Sequence, residues 1–406
     1  MSLLDIERTP FNPFDAEVMA DPYPYFRWMR ENDPVHMVDA LGMPLITRAE
    51  DVEGALRDVK TFSSVGWMEL MFGDYLVVPE VKFLLSLDPP EHTRLRRLAN
   101  TAFTRTMVAN LETTMVRIVD ECMATMAESE APDIVRDVAI PLPIKVIAEM
   151  TGVDPDMHAD FARWGTLIVD AINANVSGEV PYEGFNDDVA DAITNLRAYY
   201  FGLVEDRRRA PRNDLATALV QASDEGNKLN EFEVVSLLNF SVNAGFETTG
   251  KLIGNLLLAL FQHPDQFRAV REDRSLIPAA VQEGLRYDSP ALFLPRRLTR
   301  DHVVAGTPMD EGFCLVSFAS ANHDPAKFPD HPEEFDIFRD TKGHVAFGLG
   351  PHFCLGAHLA PRETELVLDG VLRWFSKIDH DPDGVQRDPT FFLRGLKSLP
   401  VSVRPA

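Results

Sequence analysis

Cysteine is scarce in this sequence. There are three cysteines in 406 residues, and none of them belongs to a C-x-x-C pair. An odd number of widely separated cysteines excludes a disulfide framework and offers no zinc or iron–sulfur ligand pattern. Basic residues are outnumbered, since 39 lysines and arginines stand against 63 acidic residues and the formal net charge is −24. Such a charge argues against binding to nucleic acid or to an anionic membrane surface.

Long hydrophobic runs are also missing. Segment 1–35 is rich in proline and charge and contains no apolar stretch long enough for a signal peptide or a membrane anchor. Apolar stretches such as 252–261 are interrupted by glycine and asparagine. With 45% hydrophobic residues, the chain can nevertheless bury a large core. We therefore expect a cytoplasmic globular protein without a membrane anchor.

One cysteine lies in an unusual local pattern. The run F-G-L-G-P-H-F-C-L-G (347–356) surrounds Cys354 with three glycines and a proline, and a helical pattern follows from 355. Glycines allow positive φ and close approach of the backbone, so that several N–H groups can point at one sulfur. A thiolate that accepts such hydrogen bonds is stabilised as an anion, as a metal ligand must be. A lone cysteine is usually a small buried hydrophobe, but this pattern favours a metal-ligating thiolate beside a helix start.

The segment 230–262 predicts a helix of about 48 Å at 1.5 Å per residue. Asn230 is a suitable N-cap, and His263 followed by proline ends the pattern. Polar residues interrupt its apolar centre between 239 and 249 without keeping to one face. Polar groups and a glycine in a buried helix cost stability. We interpret this centre as a functional break in the helix.

Two shorter patterns place charged residues one helical turn apart. The run D-P-P-E-H-T-R-L-R (88–96) starts a helix after two prolines and puts His92 and Arg96 on one face. The run E-G-L-R does the same for Glu283 and Arg286, and by itself such a pair is usually a surface ion pair.

The remaining chain predicts a mainly α protein with small β-sheets. Residues 15–32 and most of 105–225 show helical spacing, whereas 36–46 and 302–318 read as hairpins. Residues 62–90 lack clean periodicity but carry large apolar side chains, which favours a binding loop.

Four of these motifs together resemble the cytochromes P-450. The cysteine loop matches the family's haem-binding signature F-x-x-G-x-H-x-C-x-G at every fixed position, and A-G-F-E-T (244–248) is similar to its oxygen-activation motif A-G-x-[DE]-T. The D-P-P-x-H-x-x-x-R and E-x-x-R runs match two further family motifs in the correct order. The resemblance extends from about residue 15 to the C-terminus and implies a single domain, 1–406, that binds haem b.

The resemblance also assigns roles to individual residues. It implies that Cys354 is the proximal ligand of haem iron, with Thr248 and Glu247 delivering protons during oxygen activation. It places the following residues around the haem: His92, Arg96, Arg297, His352, Ala244, Phe347, Gly348 and Gly356. Counting to the following β segment favours Arg297 over the adjacent Arg296 for the second propionate. Glu283 and Arg286 are assigned to folding.

The implied activity is NAD(P)H- and O2-dependent hydroxylation or epoxidation of a lipophilic small molecule. Because Asn243 precedes Ala244 in the central helix, we expect its amide to pair with an oxygen of a terpenoid, steroid or polyketide; bonding to a helix carbonyl or an ordered water is the alternative. The rest of the expected substrate wall is Phe240, Leu292, Phe293, Phe392, Trp67 and Met71.

No flavin or ferredoxin module is recognisable, so electrons are expected from a separate ferredoxin and its NAD(P)H reductase. A basic patch for the acidic ferredoxin is expected from Arg94, Arg97, Arg105, Lys342, His352 and Arg362. Two alternatives remain, a peroxide-driven peroxygenase and a non-catalytic haem-thiolate sensor. The intact pair Glu247 and Thr248 argues against both.

Two positions depart from the family pattern. Pro361 stands where relatives often have an arginine, and since an interior proline costs about 3 kcal/mol and kinks a helix, we expect distortion after the cysteine loop. The run P-E-E-F (332–335) has glutamate where some relatives carry an arginine that completes the E-x-x-R network. Arg339 is the candidate to take over that role.

Overall fold

The computed structural model describes residues 10–73, 75–178, 180–388 and 390–406. Helices make up 56% of the structure described here, which confirms the mainly α class with small sheets. Within the part of the chain that is described, no helix has both the length and the apolar character needed to cross a bilayer.

The α-helices, in chain order, are α1 (Ala16–Ala20), α2 (Tyr23–Asn32), α3 (Ala49–Arg57), α4 (Trp67–Phe72), α5 (Glu91–Ala102), α6 (Arg105–Asn110), α7 (Glu112–Glu128), α8 (Pro141–Thr151), α9 (His158–Ser177), α10 (Phe185–Arg209), α11 (Leu215–Gln221), α12 (Glu231–Gln262), α13 (Pro264–Glu272), α14 (Ile277–Tyr287), α15 (Phe318–Asn322) and α16 (Leu359–Trp374). A short π-helical segment, Val135–Ala139, precedes α8.

The strands are β1 (Val35–Val38), β2 (Met43–Ile46), β3 (Phe62–Ser63), β4 (Ser223–Asp224), β5 (Asn227–Lys228), β6 (Phe293–Leu298), β7 (His302–Val304), β8 (Thr307–Met309), β9 (Gly312–Ser317), β10 (Phe375–His380), β11 (Gln386–Arg387), β12 (Leu396–Ser398) and β13 (Val401–Pro405). A mixed sheet has the order β1-β2-β9-β6-β3, and the pairs β10-β13, β11-β12, β4-β5 and β7-β8 form small antiparallel sheets.

Two predicted elements differ from the structure. The single helix expected over 15–32 is two helices, α1 and α2, because Pro22 interrupts the backbone ladder and starts the second helix. The hairpin expected over 302–318 is predicted to turn at 310–312. In the structure the chain turns earlier, at Ala305 and Gly306, between β7 and β8. Strand β9 pairs with β6 and with β2 rather than with β8. The hairpin expected at 36–46 is confirmed as β1 and β2.

The long helix α12 is confirmed, and its start is a reciprocal cap. The Asn230 side chain accepts from the Glu233 backbone N–H at 2.9 Å, and the Glu233 carboxylate accepts from the Asn230 N–H at 2.8 Å. The polar residues that interrupt its apolar centre do not break the backbone, since the helix is continuous from Glu231 to Gln262. Polar side chains are accommodated by local bonds; Ser241 Oγ, for example, donates to the Leu237 carbonyl at 2.5 Å.

The described residues form two compact units. The first comprises residues of Met1–Ser63, Val119–Ile140 and Thr248–Ala406, and the second residues of Ser64–Ile118 and Pro141–Glu247.

In the first unit, the mixed sheet packs on α3 through an apolar core. Ile46, Val52, Leu298 and Val316 belong to this core and are at most 1% exposed. Burial of such side chains contributes about 1.5–3 kcal/mol each. The sheet and α3 therefore form a rigid base for the loops that leave them.

The second unit is mainly helical. Ala171 of α9 and Phe185 and Val189 of α10, each 0% exposed, belong to one apolar core. The carboxylate of Asp214 caps α11 and also pairs with buried Arg207 at 2.5 Å. These contacts join the helices of the unit to one another.

Glu283 and Arg286 form an ion pair in the interior of the first unit. Both side chains are 0% exposed, and Arg286 Nη2 donates to Glu283 Oε1 at 2.7 Å. Arg286 also donates to the carbonyl oxygens of Asn322 (2.9 Å) and Pro332 (2.6 Å). Arg339 Nε lies 3.7 Å from Glu283, so it supplies the second cation of the cluster. The pair is thus not the surface ion pair that the bare pattern suggests.

A second buried cluster joins the two ends of the chain. Asp288 accepts hydrogen bonds from Tyr23 Oη (2.6 Å), Arg394 Nε (2.5 Å) and Arg387 Nη1 (3.1 Å). Burial alone would raise its pKa, but the guanidinium groups of Arg394 and Arg387 and the Tyr23 hydroxyl lower the pKa to about 2. Arg394 Nη1 also donates to the Met19 carbonyl at 2.6 Å. The carboxylate therefore stays ionised well into the acidic range.

Candidate active site

The cysteine loop is a series of backbone turns in the first unit. The Cys354 N–H donates to the Phe347 carbonyl at 2.9 Å, and the Phe353 N–H donates to the Gly350 carbonyl at 3.1 Å. The rings of Phe347 and Phe353 lie 6.3 Å apart at a steep angle. The Cys354 side chain is exposed, and half-buried His352 ends a short 3-10 turn two residues before it.

Three glycines lie in this loop. Gly350 has φ +72°, and a Cβ at this position would lie 2.6 Å from the Leu56 carbonyl oxygen in α3. Gly348 also has positive φ, +69°. A Cβ on Gly356 would stand 3.8 Å from Cys354 Sγ, in van der Waals contact with the sulfur. Glycine at position 350 therefore allows the loop to dock on α3.

The loop is anchored at its start by Asn322. Its Oδ1 accepts from the Val345 N–H at 2.7 Å, and its Nδ2 donates to Ser289 Oγ at 2.9 Å. Asn322 is fully buried. His344 Nε2 and Gln282 Oε1, 3.1 Å apart, add a second link between the loop and α14.

The helix after the loop begins later than predicted. Residues 355–358 form turns, and α16 starts at Leu359, five residues after Cys354. Pro361 is consequently the third residue of the helix, within the first turn, where a backbone N–H has no partner inside the helix. The distortion expected from Pro361 is therefore absent, since α16 runs unbroken to Trp374.

The central helix presents a face of small and apolar residues. Phe240, Ala244 and Thr248 follow one another at four-residue spacing, and the Ala244 side chain is exposed while Thr248 is half-buried. Glu247, also half-buried, precedes Thr248 directly. An exposed alanine in an apolar helix leaves space beside the threonine.

Asn243 bonds along its own helix. Its Nδ2 donates to Asn239 Oδ1 at 3.2 Å, one turn earlier. Its Oδ1 would lie 3.9 Å from a Cβ added to Gly165 of α9, so the side chain is close to that helix. This arrangement favours the alternative in which the amide of Asn243 serves the protein.

His92 and Arg96 lie in α5, one turn apart, in the second unit. His92 is 2% exposed, and burial, followed by the charge of Arg96, lowers its pKa to about 4 against the opposing influence of Asp88. The imidazole is thus neutral at neutral pH and can donate one hydrogen bond. Half-buried Arg96 directs its Nε to Asn100 Oδ1 at 3.2 Å.

The two adjacent arginines of strand β6 differ in their exposure to solvent. The Arg297 side chain is 47% exposed and lies 3.5 Å from the Glu311 carboxylate. Arg296 is buried. Burial raises the pKa of the Cys314 thiol to about 12, against the opposing influence of the Arg296 charge. Neighbouring residues of a strand face opposite sides, so only one of the two can point inward. Arg296 is therefore the buried arginine of the pair and Arg297 the exposed one.

Part of the expected substrate wall is brought together in the first unit. The Leu292 N–H donates to the Phe392 carbonyl at 2.9 Å. Leu292 is fully buried and Phe392 half-buried. Phe293 is also fully buried, but its ring lies near Phe391, with 6.4 Å between centroids. Leu292 and Phe293 are thus both core residues, and Phe392 is the partly exposed member of the three.

In the second unit, residues 67–72 form a helix rather than an irregular loop. Trp67 and Met71 of this helix, α4, are both buried, 7% and 4% exposed. Phe83, close by in the chain, contacts Phe240 of α12 at 6.5 Å between ring centroids. Phe83 thus connects the segment after α4 with the central helix.

Sequence reasoning missed several of these residues. Leu294, half-buried, shares a face of β6 with Arg296, and the alternation of the strand was the signal for it. Asn322 and Phe83 act through contacts between residues far apart in sequence, for which no local pattern exists.

Comparison with known proteins gives one consistent result. The family model described as Cytochrome P450 matches residues 189–402. The 6-deoxyerythronolide B hydroxylase of Saccharopolyspora erythraea is 35% identical over 399 residues, covering 94% of this chain and 96% of the relative. The vitamin D(3) 25-hydroxylase of Pseudonocardia autotrophica is 34% identical over 406 residues, covering 97% and 96%.

A solved structure agrees with these relatives. The cytochrome P450 CYP109Q5 from Chondromyces apiculatus superimposes with a TM-score of 0.89 at 37% identity, covering 97% of this chain and 98% of the other. The match extends over nearly the whole of both chains, so it is not limited to the cysteine loop. This chain therefore belongs to the cytochrome P450 family of monooxygenases.

Proposed function

We propose that this monooxygenase holds haem b through Cys354 and hydroxylates or epoxidises a lipophilic, oxygen-bearing small molecule. The observation that carries this proposal is the cysteine loop, in which Gly350 docks on α3 and the Cys354 side chain is exposed. We also propose that 1–406 is a single domain of this family, supported by relatives that match 94% or more of the chain.

The donor set fits haem. A thiol is a suitable iron ligand once ionised, and the two haem carboxylates need cations or neutral donors. We assign buried Arg296, with His352, to one carboxylate, and neutral His92 with Arg96 to the other. When bound, the haem supplies the activation of O2 and the transfer of one oxygen atom to substrate.

The chain's own contribution to oxygen chemistry is proton delivery. We assign the Oγ1–H of Thr248 as hydrogen-bond donor on the face of α12 that carries Ala244. The carboxyl of half-buried Glu247 can take up protons from solvent and pass them on. Small Ala244 keeps the space beside this hydroxyl open.

Replacing Thr248 by alanine should keep haem and substrate binding but divert reducing equivalents to hydrogen peroxide. Glu247→Gln should slow turnover at the protonation step, because the amide cannot take up a proton. The ratio of product to NAD(P)H consumed measures this coupling. Thr249→Ala is the matched control, since Thr249 is the adjacent, 3% exposed threonine of the same helix. Unchanged coupling in Thr248→Ala and Glu247→Gln would exclude this relay.

The substrate class rests on the apolar residues along the site. Leu292, Phe392, Phe240, Trp67 and Met71 are all apolar, and a wall of such side chains suits a terpenoid, steroid or polyketide skeleton. Two related proteins are named as hydroxylases of 6-deoxyerythronolide B and of vitamin D(3), which supports a substrate of that kind.

We further propose a separate ferredoxin and its NAD(P)H reductase as the electron source. The expected basic patch is smaller than the sequence suggested, because Arg94 pairs with Glu233 and Arg362 pairs with Glu365. Arg97 remains exposed, as does Lys342 in the segment that leads into the cysteine loop. These two cations are the best candidates for contact with an acidic ferredoxin.

Reduction by ferredoxin should slow steeply as ionic strength rises, because exposed charges are screened by salt. Charge reversal at Arg97 or Lys342 should lower the association rate about tenfold at low salt, with little effect on the maximal rate. Stopped-flow reduction measures both quantities. Lys377→Glu, on β10, is the control for the same change of net charge. A rate that does not depend on salt would rule out electrostatic docking.

A further inference from the structure

The turn before α4 holds two buried polar atoms that lack a hydrogen-bond partner among the described residues, Ser64 Oγ and Trp67 Nε1. Ser64 is 1% exposed and Trp67 7% exposed. The Trp67 N–H donates to the Ser64 carbonyl at 3.4 Å, so the two residues close a single turn. Buried polar groups without partners are rare in native proteins, and two within one turn indicate a ligand that completes them.

The turn is held in place from several sides within the second unit. The N–H of Met68 donates to Ser86 Oγ at 2.8 Å, and Asn175 Nδ2 of α9 donates to the Leu70 carbonyl at 3.2 Å. Phe83, three residues before Ser86, contacts Phe240 on the face of α12 that carries Ala244. The turn is therefore fixed within the second unit, and the segment that follows it contacts the face of α12 that carries Ala244.

The chemistry of the turn selects the kind of group that it can bind. An indole N–H is only a donor, so its partner must be an acceptor such as an oxygen. Asp88 Oδ1 accepts from the Ser64 N–H at 3.0 Å, which puts a carboxylate beside the turn. A second anion, such as a haem carboxylate, is disfavoured next to that charge. A neutral oxygen in an apolar ligand is favoured.

We propose that Trp67 Nε1–H, with Ser64 Oγ, binds a carbonyl, hydroxyl or lactone oxygen of the substrate and so orients its skeleton. This inference rests on the proposed monooxygenase function and names the group that recognises the substrate. It assigns to Trp67 the role first expected of Asn243, whose amide donates to Asn239 instead.

The test uses ferric holoenzyme and two steroid probes, the saturated ketone androstanone and its parent hydrocarbon androstane. Trp67→Phe keeps an aromatic ring but removes the N–H, and should weaken androstanone binding about tenfold while leaving androstane unchanged. Ser64→Ala should weaken ketone binding less. Trp28→Phe, which removes another buried indole N–H in α2, should change the dissociation constant of neither steroid. Spectral titration measures each dissociation constant.

Three outcomes would overturn the proposal: equal effects of Trp67→Phe on ketone and hydrocarbon, no binding of androstanone to the wild type, or loss of haem from Trp67→Phe. The last would assign the indole to a haem carboxylate. Failure of the proposed monooxygenase function is seen separately. In that case the reduced carbon monoxide complex of the wild type would lack the red-shifted Soret band of thiolate-ligated haem, before any steroid is added.

Discussion

Replacing Cys354 by alanine should abolish the strongly red-shifted Soret band of the reduced carbon monoxide complex, and monooxygenase turnover with it. The red shift reports a thiolate on the iron, and within the loop only Cys354 has a thiol. Because the loop hydrogen bonds run through backbone atoms, alanine should leave them in place. The loss should therefore reflect the missing ligand rather than an unfolded loop.

Cys122→Ala provides the control for this experiment. Cys122 is 2% exposed and lies outside the loop, so its replacement should keep the red-shifted band and cost only packing energy. A red-shifted band in Cys354→Ala, or its absence in freshly reduced wild-type protein, would contradict the assignment of the ligand. Far-UV circular dichroism of each variant checks that the helices persist.

Removing one partner of the pair Glu283 and Arg286 should have the largest effect on stability. Glu283→Ala leaves a guanidinium that is 0% exposed without its carboxylate, and breaking such a buried pair typically costs about 3–5 kcal/mol. The Asp336 N–H, which donates to Glu283 Oε1 at 2.9 Å, also loses its acceptor. Urea unfolding measures the change in the free energy of unfolding.

The control is an ion pair with the same sequence spacing at the surface. Arg163 and Asp160 are also three residues apart, but their side chains are 62% and 44% exposed. Asp160→Asn should change stability little, because exposed pairs are weak. If Glu283→Ala and Asp160→Asn lower the free energy of unfolding equally, burial does not explain the contribution of the pair Glu283 and Arg286 to stability.

Local patterns predicted the parts of the site that depend on neighbouring residues. The glycine-rich loop around Cys354, the cap at Asn230 and the one-turn spacing of His92 and Arg96 all follow from short-range rules. The late start of α16 does not, although the position of Pro361 is compatible with a first turn.

The choice between Arg296 and Arg297 could not be made from local sequence. Both are arginines in one strand, and which one faces inward depends on how β6 pairs with β9, where Arg296 stands opposite buried Cys314. Trp67 shows the same limit, since an apolar pattern predicts burial but not whether the indole N–H finds a partner.

The cluster at Asp288 has a consequence for synthesis on the ribosome. Met19 and Arg394, which are joined by a hydrogen bond, are 375 positions apart, so this contact cannot form until Arg394 has been translated. Until then, Phe26 and Met29 of α2, at most 1% exposed in the finished protein, lack part of their final environment. The amino-terminal helices should therefore wait longest for their final contacts, until the segment around Arg394 has left the ribosome.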